Sequence, residues 1–199
     1  MVLEKKYARN IQKIAELVIL EMNRQREKIP ADNFRQELLD SFFAKDQARV
    51  YMKRYSPLAA NELSAVVVNF AAAVKLDDIT SQKQKATATY AIDFVTAAND
   101  NSNEARAIDR ILYAAAIIDE ALRKTNLRFF EAEEKTLRKL EITAKKANDG
   151  INDLFTAQLL FEVVTQEIFS DIDDNSGEAE INETEITVNN GTYNIIKEW

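Results

Sequence analysis

The run from Glu104 to Ala147 most constrains what this chain can fold into, because it holds no Gly and no Pro across 44 residues. Its apolar side chains recur mostly three or four positions apart, at Ile108, Ile111, Leu112, Ala115, Ile118 and Leu122, then at Phe129, Leu137, Leu140, Ala144 and Ala147. That spacing stripes one face of a helix. As a single helix the run would span about 66 Å, against a radius of gyration of about 16 Å for a compact chain of this length. Two readings are open. Either the helix projects as an arm, or it breaks at Lys124-Thr125-Asn126, where weak helix formers meet. Beyond that point Glu131 and Lys135, Glu134 and Arg138, and Glu141 and Lys145 are i,i+4 pairs of the kind found on a solvated helical face.

Three Gly and two Pro in 199 residues leave few places for turns, and 46% hydrophobic content is ample for a core. The expected fold is all-α: a bundle of six or seven helices with one long helix and a C-terminal β-hairpin appendage. The first helix is expected from Leu3 to about Lys28, with Tyr7, Ile11, Ile14, Val18 and Met22 on one face and Pro30 ending it. Asp32 or Asn33 caps a short helix through Phe34, Leu38, Phe42 and Phe43. Ser56-Pro57 starts a helix to about Leu76, and Ser81 to Gln84 fits a capping box for another that reaches Ala98. Asn148-Asp149-Gly150 ends the long helix, and Ile151 to Phe169 forms the last. Helices 57–76, 104–124 and 151–169 are the expected centre of the bundle.

Residues 1–170 are therefore expected to be the helical domain, and residues 171–199 an acidic linker and hairpin tail. The tail carries one lysine against eight carboxylates, so the whole formal net charge of −7 falls in it and the body is neutral. Ile186-Thr-Val188 and Tyr193-Asn-Ile195 flank Asn189-Asn190-Gly191, a strong hairpin signal. A lone hairpin is marginal in water and needs a surface to pack on.

The absence of both Cys and His is equally restrictive. It removes thiol nucleophiles, disulfides, the usual general base and the commonest zinc ligands. Three isolated Gly cannot form a phosphate-cradling loop, and no dinucleotide, kinase or hydrolase signature is present. A non-catalytic protein without a cofactor is expected. The N-terminal residues lack the pattern of a secretory signal, and the longest apolar run is too short to span a bilayer. A cytoplasmic or otherwise intracellular protein without membrane contact is the expectation, a virion being the other setting considered.

Several residue groups are candidates for binding. Asp171, Asp173 and Asn175 alternate as hard-cation ligands do, although Gly177 and Glu183 each fall one position late for a calcium loop; a solvated acidic linker explains them more simply. Asp77-Asp78, Asp119-Glu120 and Glu37 with Asp40 are carboxylate pairs that surface solvation explains more simply. Arg49, Lys53 and Arg54, beside Tyr51 and Tyr55, make a basic aromatic cluster of a kind suited to nucleic acid, although a solvated helix surface explains it more simply. Ile186, Val188, Tyr193, Ile195 and Trp199 are the tail residues expected to meet a protein partner.

The favoured function is a structural or assembly subunit of a larger complex, joined to a protein partner or to further copies of itself through its tail and long helix. By analogy, a viral or phage virion, neck or packaging component would suit it. The alternatives are a nucleic-acid-binding module using the basic N-terminal third and a divalent-cation-dependent regulator.

Overall fold

The structure is a computed structural model, and it describes residues 5–30, 33–54, 58, 62–80, 83–98, 104–146, 153–168, 187–188 and 191–192. Two helices come first, α1 (Lys6–Lys28) and α2 (Phe34–Asp40). Five strands come next: β1 (Phe43–Ala44), β2 (Gln47–Ala48), β3 (Val50–Met52), β4 (Ala65–Phe70) and β5 (Lys75–Thr80). After them lie β6 (Lys83–Ala98), α3 (Glu104–Lys124), a 3-10 turn at Leu127–Phe130, β7 (Ala132–Lys146) and β8 (Asp153–Ile168). The tail contributes β9 (Thr187–Val188) and β10 (Gly191–Thr192), which pair antiparallel. Residues 4–170 form one compact unit, and β9 and β10 belong to a second.

The all-α bundle expected from the sequence is thus wrong, and so is its description as helical throughout. Three α-helices accompany a six-stranded sheet in the order β3-β4-β6-β8-β7, with β5 also paired to β6. The reason lies in period. Ala86, Ala88, Tyr90, Ile92, Phe94, Thr96 and Ala98 of β6 are all buried, as are Phe155, Ala157, Leu159, Phe161, Val163, Thr165 and Glu167 of β8. Both sets recur every second residue, which is the repeat of a strand with one face inward. The β-branched run Val66-Val67-Val68, expected to be helical, lies in β4, where its restricted side chains pack well.

Helices cover one face of the sheet. The core draws Ala88, Tyr90, Ile92 and Phe94 from β6, Phe155 to Val163 at alternate positions from β8, and Val66 and Val68 from β4. Against them pack Ile11, Ile14, Val18 and Met22 of α1 and Ile111, Ala114, Ala115, Ile118 and Leu122 of α3. The result is a two-layer α/β sandwich. The long run from Glu104 does break where expected: α3 ends at Lys124, Asn126 accepts from the Arg128 amide, and the 3-10 turn inserts buried Phe130 against Phe161, with ring centroids 5.2 Å apart. Beyond the turn the chain continues as the strand β7, where a helix was expected.

Two charged side chains from the sheet close the helix ends. The buried Glu167 carboxylate, near the end of β8, accepts from the Lys6 and Tyr7 amides at 3.1 and 3.3 Å and from the Thr165 hydroxyl at 2.9 Å. It sits on the first amides of α1, which have no intrahelical partner and carry the positive end of the helix dipole. No side chain of the preceding residue caps this helix. At the other pole, the Lys135 ammonium in β7 donates to the carbonyls of Leu122 at 2.6 Å and Arg123 at 2.9 Å, and to that of Thr125, at the C-terminus of α3. Burial holds this amine below the ordinary lysine range. The Tyr90 hydroxyl donates to the Tyr7 carbonyl at 2.6 Å and ties α1 to the centre of β6.

Removing either cap should loosen a helix without dismantling the sheet. Glu167→Ala is expected to cost about 1–3 kcal/mol, the range for stranding buried donors, and Lys135→Met about 1 kcal/mol or more. Urea midpoints measured by circular dichroism check both. An unchanged midpoint for Glu167→Ala would show that the cap carries no stability.

Candidate assembly interface

The two edges of the sheet differ in how they are built. β4 and β5 lie end to end along one side of β6, β4 against Tyr90 to Val95 and β5 against Lys83 to Thr87. Between them the Ala71 amide donates to the Thr89 carbonyl at 2.8 Å, which keeps the pair nearly continuous. Every residue of β5 is exposed. Leu76 and Ile79 are 45% and 50% exposed, and Ile168, two strands away, is 59% exposed. An exposed apolar side chain by itself is ordinary. Two of the three lie on β5, a strand whose outer side meets no described strand. The opposite edge is β7, fifteen residues long and paired on one side with β8.

The sheet face away from the helices is mixed in chemistry. Asp93 of β6 lies opposite Gln158 of β8 and accepts from its side-chain amide at 2.7 Å. Burial pushes the Asp93 carboxyl above its ordinary value, while the Gln158 hydrogen bond opposes that shift. On the helix side, Glu131 holds a left-handed backbone conformation at the end of the 3-10 turn and gathers Lys13 at 2.6 Å and Arg9 at 3.1 Å. The Lys13 hydrogen bond lowers its carboxyl below the ordinary glutamate range. Glu131 therefore joins α1 to the start of β7 instead of pairing with Lys135 along a helix.

The basic cluster expected for nucleic acid is engaged within the fold. Arg49 donates to the carbonyls of Leu63 at 2.7 Å and Ser41 at 3.4 Å. Arg54 makes a two-pronged contact with Glu62 at 2.6 and 2.8 Å and lies 4.9 Å over the Tyr51 ring. Lys53 is exposed, in a left-handed backbone conformation, and its amide donates to the Val68 carbonyl at 3.0 Å. Asp171, Asp173 and Asn175 lie outside the described residues, as do Ile186, Tyr193, Ile195 and Trp199. Val188 falls in β9, opposite Gly191. Among the described residues no group of three or more acidic side chains could hold a metal ion, and no helix is long and apolar enough to cross a membrane. The strand that sequence reasoning misses is β5, whose Leu76 reads as a helix end with Asp77-Asp78 behind it; the signal is the β-branched Ile79-Thr80 running into the alternating start of β6.

No protein-family model matches the chain, and no characterised protein matches it. Among solved structures, it is similar to a chain described as "Virion of native gene transfer agent (GTA) particle", at 18% identity and a TM-score of 0.33, over 74% of this chain and 95% of that one. A likeness of this size carries no functional inference.

The two perturbed carboxylates give stability slopes of opposite sign. Glu131, held low when folded, contributes stability that is present above the ordinary glutamate value and lost as pH falls through its lowered folded value. Asp93, held high, favours folding below the ordinary aspartate value, and that contribution is lost as pH rises through its raised folded value. Glu131→Gln should thus flatten the acid limb of a stability profile, whereas Asp93→Asn should raise stability at neutral pH. Denaturant midpoints between pH 3 and 8 check both, and a neutral-pH loss for Asp93→Asn would contradict the assigned sign.

Proposed function

We propose that this protein is a non-catalytic assembly subunit that joins neighbouring protein chains through the edges of its sheet, with its acidic tail taking part. The observation that carries this reading is the contrast within one sheet: β6 and β8 are paired on both sides, while β5 is exposed at all six residues and β7 borders no described strand on its outer side. Unpaired backbone amides and carbonyls along such edges are templates for another strand. The missing His and Cys support a role without catalysis, since neither the usual general base nor a thiol nucleophile can be assembled. Repetition of one subunit edge to edge builds rings and tubes, so a virion or phage particle is the setting we propose. The engaged side chains of Arg49 and Arg54 weigh against a nucleic-acid surface at that cluster.

Mass by light scattering over a hundredfold range of concentration tests the reading. The full chain is expected to grow beyond a single copy, and removal of residues 171–199 to reduce that growth. A single-chain mass throughout would count against self-assembly, while an unaltered mass after truncation would exclude the tail from it.

A further inference from the structure

We infer that β5 pairs antiparallel with β5 of a second copy of this chain, about a two-fold axis through Leu76, so that the smallest unit of the assembly is a dimer with one continuous sheet. This rests on the proposed assembly role and names its first contact. β5 pairs with β6 on one side, no described strand lies on its other side, and all six of its residues are exposed. Its side chains alternate across the sheet. Leu76 lies opposite buried Ala86 and so on the helix side, whereas Lys75 lies opposite Thr87 and Asp77 opposite Lys85 on the outer side.

Symmetry restricts the register. Residues directly opposed in an antiparallel pair share a face, so the axis relating two copies of one strand must pass where a residue faces its own copy. At Lys75, Asp77 or Asp78 that residue would meet a like charge. Ile79 falls within the bulge between Asp78 and Thr80, where the alternation is broken, and Thr80 ends the strand. Leu76 meets Leu76 without a charge, and the contact covers a side chain that is 45% exposed.

The charges of the outer face fit that centre. Lys75 faces the partner's Asp77 on both sides of the axis, and each Asp77 then lies between Lys85 of its own chain and Lys75 of the other. Along the strand Lys75 and Asp77 already form an exposed ion pair at 3.1 Å. Dimerisation keeps that pair and sets the four charges in a square where every nearest neighbour is opposite in sign. On the helix side the partner's Asp78, which its own Gln84 holds at 2.9 Å, comes opposite Val74 and ends the ladder where the bulge begins. The residues after β3 flank β4 as far as Asn69, whose side-chain amide donates to the Arg54 carbonyl at 2.9 Å. The ladder stops at Val74, further along the chain, so no described residue of the same chain lies in its path. Being isologous, the contact closes on two copies and leaves the β7 edge to other neighbours.

The chain has no Cys, so a single introduced thiol reports on the axis. In the full chain, Leu76→Cys puts two thiols at directly opposed positions of neighbouring strands, within reach of a disulfide. Mild oxidation should convert most of it to a covalent dimer, and Ile79→Cys, whose two copies stand several residues apart, should give about tenfold less. Charge exchange gives a second readout, by light scattering. Lys75→Asp or Asp77→Lys alone should raise the concentration for half-dimerisation by about tenfold, as two attractive pairs become repulsive. An equimolar mixture of those two proteins should dimerise near the original concentration, because each cross-strand pair again joins opposite charges although neither chain keeps its internal ion pair. Far-UV circular dichroism on each protein confirms folding. If the original assembles but Leu76→Cys cross-links no better than Ile79→Cys, or the mixture fails to recover, this pairing is wrong while the assembly reading stands. If the original remains a single chain at every concentration and Leu76→Cys does not cross-link, the pairing and self-assembly fail together.

Discussion

The unbroken antiparallel ladder between β6 and β8 is the constraint on which the other elements depend. Every residue from Lys83 to Ala98 has a partner between Asp153 and Ile168. Because the two strands stay in step over that length, Tyr90, Ile92 and Phe94 reach the same face as Phe155, Leu159, Phe161 and Val163, and a slip of one residue in either strand would turn them to the other. That face is the floor on which α1 and α3 lie. Tyr90 and Phe161, facing each other at its centre, are both almost fully buried.

The same ladder fixes the ends of the helices. Glu167 can reach the first amides of α1 only because β8 continues past the core, and Lys135 reaches the last carbonyls of α3 because β7 starts beside them. One carboxylate sits at a positive helix pole and one ammonium at a negative pole, which is the favourable sense at both. Length that serves this purpose also leaves edges. β5 extends the hairpin beyond the region that the helices protect, and β7 runs the length of the sheet on its other side. Stability and the proposed association therefore draw on one feature, the unusual extent of the central strands.

Much of the helical layer was legible in the sequence. Tyr7, Ile11, Ile14, Val18 and Met22 recur with a helical period and do form the inner face of α1; Asn33 caps α2; and the weak helix formers at Thr125 and Asn126 mark the end of α3. The strands were obscured for physical reasons. In β8, Leu159-Leu160-Phe161 and Val163-Val164 place apolar residues on both faces, which hides alternation and imitates a helix buried all round. In β7, bulges at Ala132/Glu134 and Leu137/Lys139 shift the repeat, and charges spaced by four mimic i,i+4 pairs. Glu131 and Lys135 show how far that imitation goes, since each directs its charge to a different helix. The candidate edge at β5 was hidden because Asp77-Asp78 looks like helix-flanking charge until the strand beside it is known.

The central claim is that β6 and β8 form the stable interior of a sheet whose outer strands are completed by neighbours. Amide hydrogen exchange followed by mass spectrometry, at a concentration where the chain is single and at one where it assembles, measures this most directly. Peptides covering β6 and β8 should exchange slowly at both concentrations, and those covering β5 and β7 should exchange quickly when dilute and slow on assembly. Equal protection of β5 and β7 at the two concentrations, in a sample whose mass has increased, would contradict the account.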